Sequence, residues 1–236
     1  MDLKKYENMQ NGFTESRKGN KFNFTSPLPG LFIYDNVWPT GMDFIREIET
    51  DEYWLNNPGG GTKKWVREDY YNEDNGKRST SCWIYHDDRF EENLGEVIDS
   101  YLWAWDLDPR SRESMRISKY EPGEWFSAHY DNTFGTPRTV SMVYYPNDDY
   151  EGGELEFIHF GIKIKPKAGQ LFLFPSDYSH EHKIHGITSG IRYTLVSFFN
   201  EITEKERSAR VKIIDFPYNS DLDYVFSKDF GKKHQQ

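Results

Sequence analysis

The chain has 236 residues, enough to bury a full core in one large domain or two small ones. Its formal net charge of −10 and pI near 5.2 argue against a protein that grips nucleic acid through phosphates, which takes clustered Lys and Arg. One cysteine, Cys82, excludes an internal disulfide and a thiolate metal cluster. The start, Met1 to Lys5, is polar, and no apolar run approaches the roughly 20 residues of a membrane span. The expectation is a cytoplasmic protein with neither nucleic acid nor membrane as partner.

Residues 1–28 read as a polar, loosely held lead-in. Pro27 to Gly30 punctuates the chain before Leu31-Phe32-Ile33-Tyr34, a short β-type run. After Pro39, Thr40 and Asp43 resemble a helix start, with Phe44, Ile45 and Ile48 as its apolar face. The Gly-rich stretch from Pro58 to Asn75 reads either as a lid over a site or as a solvent-exposed insertion. Arg78 to Tyr85 predicts a strand. Asp88 with Glu91 then suggests a capping box, and Phe90, Leu94, Val97, Ile98, Tyr101, Leu102 and Trp105 follow at helical spacing.

From Glu113 the pattern becomes short strands: Met115 to Tyr120, Thr139 to Tyr145, Glu154 to Phe160, Ile162 to Lys165, Leu171 to Phe174 and Arg192 to Phe199. Turn residues at Glu121-Pro122-Gly123, Pro146-Asn147-Asp148, Gly152-Gly153 and Lys167-Ala168-Gly169 separate them, which predicts a sandwich or barrel with helices on one face. The Lys163, Lys165, Lys167 alternation reads as a solvated strand face. Beyond Asn200 the chain is charged, with one strand-like run at Val211 to Phe216.

His129 and Asp131 lie two residues apart, so on a strand they point the same way. One more histidine completes a two-histidine, one-carboxylate set that holds one face of an iron(II) ion and leaves the other open. Its candidates are His159, His180, His182 and His185; His159 falls in an alternating strand, and His180 and His182 share a face if their segment is extended. Arg192, ten positions after His182 and past a Gly-containing turn, would return beside the metal, where a guanidinium suits the distal carboxylate of a dicarboxylate.

These motifs in this order, His129-Tyr130-Asp131, Tyr144-Tyr145-Pro146-Asn147-Asp148, Glu151-Gly152-Gly153-Glu154 and His182 to Arg192, together with Arg78-Ser79-Thr80-Ser81, resemble the iron(II)- and 2-oxoglutarate-dependent dioxygenases in their prolyl 4-hydroxylase-like branch. The resemblance covers residues 29–200. It implies an α+β, mainly β fold: a double-stranded β-helix (jelly-roll) core over about 113–200, with N-terminal helices packed on the major sheet and a C-terminal extension at 201–236. It implies His129, Asp131 and His182 as iron ligands, Arg192 as the clamp on 2-oxoglutarate, and hydroxyl contacts to that co-substrate from Tyr120 and Tyr144. Gly186 departs from the family, where many relatives carry Pro.

The activity so implied is hydroxylation of an unactivated C–H bond using Fe(II), 2-oxoglutarate and dioxygen, with ascorbate as a candidate reductant and succinate and CO2 as co-products. The leading substrate is proline in a peptide or protein, which Trp65, Tyr70, Tyr71, Trp83, Trp125 and Phe126 would pack as an extended chain. The alternatives are a hydroxylase of a free amino acid or other small molecule, and a non-catalytic metal-binding barrel module.

Overall fold

The computed structural model describes residues 10–62, 64–71, 76–132 and 137–201. In chain order its elements are β1 (Gln10–Glu15), β2 (Lys21–Leu28), β3 (Leu31–Tyr34), α1 (Gly41–Ile48), α2 (Asp51–Asn56), β4 (Val66–Tyr71), β5 (Gly76–Ile84) and α3 (Asp88–Ala104). The strand-rich half follows with β6 (Ser111–Arg112), β7 (Met115–Tyr120), β8 (Phe126–His129), β9 (Val140–Tyr145), β10 (Glu151–Gly152), β11 (Leu155–Phe157), β12 (Ile162–Ile164), β13 (Gln170–Pro175), β14 (His182–Ile184), β15 (Ile187–Ser189) and β16 (Arg192–Asn200). No helix among the described residues is long and apolar enough to cross a membrane.

The antiparallel order β1-β2-β3-β13-β9-β16-β7-β5 forms a major sheet, and β8-β14-β11-β12 a minor one that folds over it. The two are joined where Lys77 of β5 pairs with Phe126 of β8. This is the jelly-roll arrangement expected from the motifs. β16 sits near the middle of the major sheet and is buried along its whole length, so both of its faces are covered. Tyr193, Leu195 and Phe199 join the core beneath the helices, with Phe44, Ile45, Leu94, Ile98, Met142, Tyr144 and Leu173. The opposite face of the sheet presents Tyr145, Phe172 and Phe174 to Leu155 and Phe157 of the minor sheet. Each buried apolar side chain of this kind contributes about 1.5–3 kcal/mol.

α3 is the long helix expected from its spacing, burying Phe90, Leu94, Val97, Ile98, Tyr101 and Leu102. Its cap lies one residue earlier than expected: Asp87 is extended, and its carboxylate accepts from the Arg89 N–H. α1 starts at Thr40 as expected, though without a side-chain cap bond. The short α2, which no apolar period announced, is capped by the Thr50 hydroxyl accepting from the Tyr53 N–H.

Two expectations are corrected. Residues 10–28 are not a loose lead-in, because β1 and β2 pair with each other and β2 pairs with β3, extending the major sheet. The alternation Phe22, Phe24 carries this: the Phe24 ring stacks on Phe32 at 3.8 Å between centroids. The strand expected over Glu154 to Phe160 stops at Phe157, where a 3-10 turn over Ile158–Phe160 ends at Gly161, left-handed at φ 63°. His159 therefore sits on a turn, not in an alternating strand. The Val211 to Phe216 run lies outside the described residues.

The Gly-rich stretch leads into a hairpin in which β4 pairs with β5 from Val66↔Ser81 to Tyr71↔Gly76. Glu68 folds onto β5, its Oε2 accepting from Lys77 Nζ and from the hydroxyls of Ser79 and Ser81. Arg67 pairs with the buried Glu124. Its described residues are anchored at the edge of the barrel mouth by these contacts, while Val66, Arg67, Asp69 and Tyr70 stay exposed to solvent.

Candidate metal centre and co-substrate pocket

β8 and β14 are antiparallel neighbours, and their register sets His129 opposite His182, with ring centroids 4.4 Å apart. Asp131, two residues past His129, turns its carboxylate between them, Oδ1 3.7 Å from His129 Nε2 and Oδ2 3.8 Å from His182 Nε2. One donor atom from each of the three lies within 4.8 Å of the others. His129 Nδ1–H donates to the Ser127 carbonyl at 2.8 Å, and His182 Nδ1–H to the His180 carbonyl at 2.9 Å. Backbone carbonyls thus fix both tautomers and leave both Nε2 lone pairs facing the carboxylate, as ligand imidazoles require. Asp131 is held from behind by the Ser141 hydroxyl at 2.6 Å, itself 2.7 Å from that of Ser176.

The electrostatics suit a cation. Burial first, and then the proximity of His182, push His129 down to about 3, so its imidazole is neutral at physiological pH. Burial raises Asp131, but His182, His129, the Ser141 hydrogen bond and Arg138 outweigh it and hold the carboxyl below its ordinary value. Phe126 stacks on His129 at 3.7 Å, and Phe157 and Phe174 flank His182, which limits water around the group.

The other candidate histidines are engaged elsewhere. His180 Nε2–H donates to the Pro29 carbonyl at 2.9 Å, and its Nδ1 lies 2.8 Å from the Ser179 hydroxyl. His185 Nε2 is on Glu156 at 2.5 Å, and His159 is half-exposed beside Glu181. Arg192 opens β16 opposite Tyr120 of β7 and is completely buried, yet its Nε and one terminal nitrogen, NH1, have no hydrogen-bond partner among the described residues. Its guanidinium lies 5.2 Å from the ring centroids of both Tyr120 and Tyr145. The hydroxyls of Tyr145 and Tyr150 are buried beside the guanidinium, near enough for it to oppose the upward push of burial on both, and neither makes a well-formed hydrogen bond among the described residues. A buried cation surrounded by unsatisfied donors is costly unless an anion completes it. Gly153, at φ 68°, allows the approach, since a Cβ there would stand 3.0 Å from Arg192 Cδ and 2.5 Å from Ile187 Cδ1.

Of the two tyrosines expected to touch a co-substrate, Tyr120 is in this pocket, with burial raising its hydroxyl to about 12 against the opposing Arg192 charge. Tyr144 is not, and that expectation is corrected. In β9 Ser141, Val143 and Tyr145 share one face, while Met142 and Tyr144 belong to the helix-side core. The Tyr144 hydroxyl donates to the Trp38 carbonyl, and a Cβ on Gly41 would collide with it. Tyr145, of the opposite parity, is the tyrosine of this strand that faces Arg192. Lys163, Lys165 and Lys167 are exposed, as a solvated strand face predicts, and Lys165 Nζ also donates to the carbonyls of Tyr150 and Gly152 at 2.7 and 2.6 Å, bracing the turn that borders Arg192.

The fold agrees with what the chain is similar to. Residues 115–200 match the profile of the 2OG-Fe(II) oxygenase superfamily. A PKHD-type hydroxylase of Synechococcus sp. (strain CC9902) is 36% identical over 109 residues, which are 44% of this chain and 48% of that protein. Another, from Synechococcus sp. (strain CC9311), is 26% identical over 172 residues, covering 64% of this chain and 76% of the relative. The chain thus spans about half of the first and three quarters of the second. Among solved structures, a Trichoplax adhaerens prolyl hydroxylase in complex with a hypoxia inducible factor peptide fragment superposes with a TM-score of 0.55, at 21% identity over 76% of this chain and 86% of that one. Residues 115–200 thus carry the profile of the 2OG-Fe(II) oxygenase superfamily, and the chain is similar to 2-oxoglutarate-dependent, prolyl 4-hydroxylase-like dioxygenases.

Proposed function

We propose that this protein hydroxylates a prolyl residue of a peptide or protein, with residues 29–200 as its catalytic domain. His129, Asp131 and His182 are assigned as the Fe(II) ligands, and Arg192, with Tyr120 and Tyr145 beside it, as the seat of the distal carboxylate of 2-oxoglutarate. The observation that carries this reading is the pairing of two buried features: a His–Asp–His group with both Nε2 atoms free, and, at the start of β16 in the major sheet, a fully buried arginine with nitrogens unpartnered among the described residues. The donor set suits a facial iron(II) site, and the orphaned guanidinium suits a dicarboxylate. When bound, iron and 2-oxoglutarate supply oxidative decarboxylation coupled to C–H oxygenation, which yields succinate and CO2.

The chain's own part is to orient and to exclude. Ser141 fixes the Asp131 carboxylate, and the two backbone carbonyls keep the imidazoles as neutral ligands. Phe126, Phe157 and Phe174 keep water from the histidines. The mouth carries Tyr70, half-exposed, with the partly buried Trp83, Trp125 and Phe126, aromatic surfaces on which an extended proline-containing chain can lie. The peptide in the Trichoplax structure supports a polypeptide substrate by analogy of fold.

The test is anaerobic addition of Fe(II) and 2-oxoglutarate, followed by air, ascorbate and proline-containing peptides. A visible charge-transfer band, succinate release and an added oxygen on proline are expected. Oxidation confined to free amino acids would favour the small-molecule reading, and absence of the band and of succinate a non-catalytic barrel.

A further inference from the structure

One charged side chain on the inner face of the major sheet is used by neither the metal ligands nor the co-substrate seat. Arg116 lies in β7, where Arg116, Ser118 and Tyr120 alternate with Met115 and Ile117 of the helix-side core. Its side chain therefore faces the barrel interior. Its Nε is buried and makes no hydrogen bond, and no carboxylate lies within ion-pair distance of it, among the described residues.

The nearest acid is already committed. Glu68 Oε2 receives Lys77 Nζ and the hydroxyls of Ser79 and Ser81, and Lys77 is completely buried in that exchange. Arg116 acts on Glu68, Lys77, Tyr120 and His129 through its charge alone. Glu68 takes its hydrogen bonds from Lys77, Ser79 and Ser81 and none from Arg116.

Strand register locates this spare cation. Arg116 is level with Val196, which is level with Val143, whereas Tyr120 is level with Arg192. Four residues of β16 thus separate the two arginines, about 13 Å at roughly 3.3 Å per residue. Ser141, which holds Asp131, pairs with Phe198, two residues from Val196. Arg116 accordingly stands at the level of the metal ligands and away from the Arg192 pocket, so a dicarboxylate seated on Arg192 does not neutralise it. It lines the mouth between the β4–β5 hairpin and the His–Asp–His group.

We infer that Arg116 is a specificity-determining residue that reads a carboxylate of the primary substrate, an Asp or Glu side chain close in sequence to the oxidised residue. The inference rests on the iron and 2-oxoglutarate reading of the same site. A guanidinium forms a bidentate pair with a carboxylate, and an unpartnered one beside a desolvated metal site gains most from such a ligand. The Glu68–Lys77 pair seals the far side of the cluster and keeps the protein's own acid from occupying Arg116.

The test uses the full chain loaded with Co(II) and 2-oxoglutarate and a library of ten-residue peptides with a fixed central proline and randomised flanks. Bound peptides should be enriched about tenfold or more in Asp or Glu at one flanking position, the range expected for a charge-assisted contact. Arg116→Gln should abolish the enrichment, Arg116→Lys should retain it in weaker form, and Arg116→Glu should shift it toward Lys and Arg. Binding of Co(II) and 2-oxoglutarate should be unchanged in all three. No acidic enrichment in the parent protein, or one that survives Arg116→Gln, overturns the inference. Failure of the parent to bind Co(II) or 2-oxoglutarate overturns the underlying site reading instead, and this inference with it.

Discussion

Replacing Arg192 by Met separates a co-substrate clamp from a structural arginine, because the two roles move stability in opposite directions. Arg192 is completely buried, with two nitrogens unpartnered, and two tyrosine rings at 5.2 Å supply only partial compensation. Exchanging an uncompensated buried charge for a hydrophobe of similar volume gains about 1–4 kcal/mol, and imperfect packing returns about 1 kcal/mol. The ligand-free variant should therefore be as stable as the parent or more so by up to about 3 kcal/mol, a rise of roughly 2–4 °C in Tm per kcal/mol. With 2-oxoglutarate the order reverses. Two charge-assisted hydrogen bonds at about 1.5–3 kcal/mol each are lost, so affinity should fall at least about 100-fold. The stabilisation of about 2.7 kcal/mol that the parent gains at a hundred times its Kd should then nearly vanish. Thermal melts of the Co(II)-loaded proteins with and without 2-oxoglutarate read both quantities. A variant destabilised by more than about 1 kcal/mol without ligand, or one still stabilised by 2-oxoglutarate, would refute the reasoning.

Three further outcomes follow from neighbouring residues. His182→Ala should abolish Co(II) binding, while His180→Ala should keep it and lose stability through its bond to Pro29; the reverse result, read by cobalt absorption, would reassign the ligand. Tyr144→Phe should cost about 1 kcal/mol of stability through the lost bond to Trp38 and leave 2-oxoglutarate affinity intact, whereas Tyr145→Phe should weaken that affinity, as calorimetric titration would show. Burial, then the neighbouring Arg116, push the Lys77 ammonium down to about 7 from its ordinary 10.5. Between those values the unfolded chain keeps a proton that the folded chain has shed, so stability should rise with pH across that window. Lys77→Met should flatten that rise in denaturant titrations, and an unchanged slope would place the titration elsewhere.

Much of the scaffold was legible because its signals are local. The helical spacing from Phe90 to Leu102 and the strands around Met115 to Tyr120 and Arg192 to Phe199 follow from periods of apolar residues that one window contains. The errors came where a signal is short or shared. β1 and β2 carry few apolar residues and depend on β3 for pairing, and the Asp87-Asp88 pair offers two plausible caps.

For the chemistry, the sequence alone determined the inventory and order: His129 and Asp131 on one strand end, a run of later histidines, and a basic residue on the following strand. Which histidine faces the carboxylate was decided only by the pairing of β8 with β14, because His180 and His182 have the same parity and only one lies opposite His129. The adjacent Tyr144 and Tyr145 point to opposite faces, and nothing within their strand says which face is the barrel interior; the helices packed against Tyr144 settle it. The same holds for Arg116 and Arg192, whose missing partners exist only as a property of the assembled interior. Periodicity is written in the chain, but solvent exclusion and the meeting of distant strands arise only when the two sheets close.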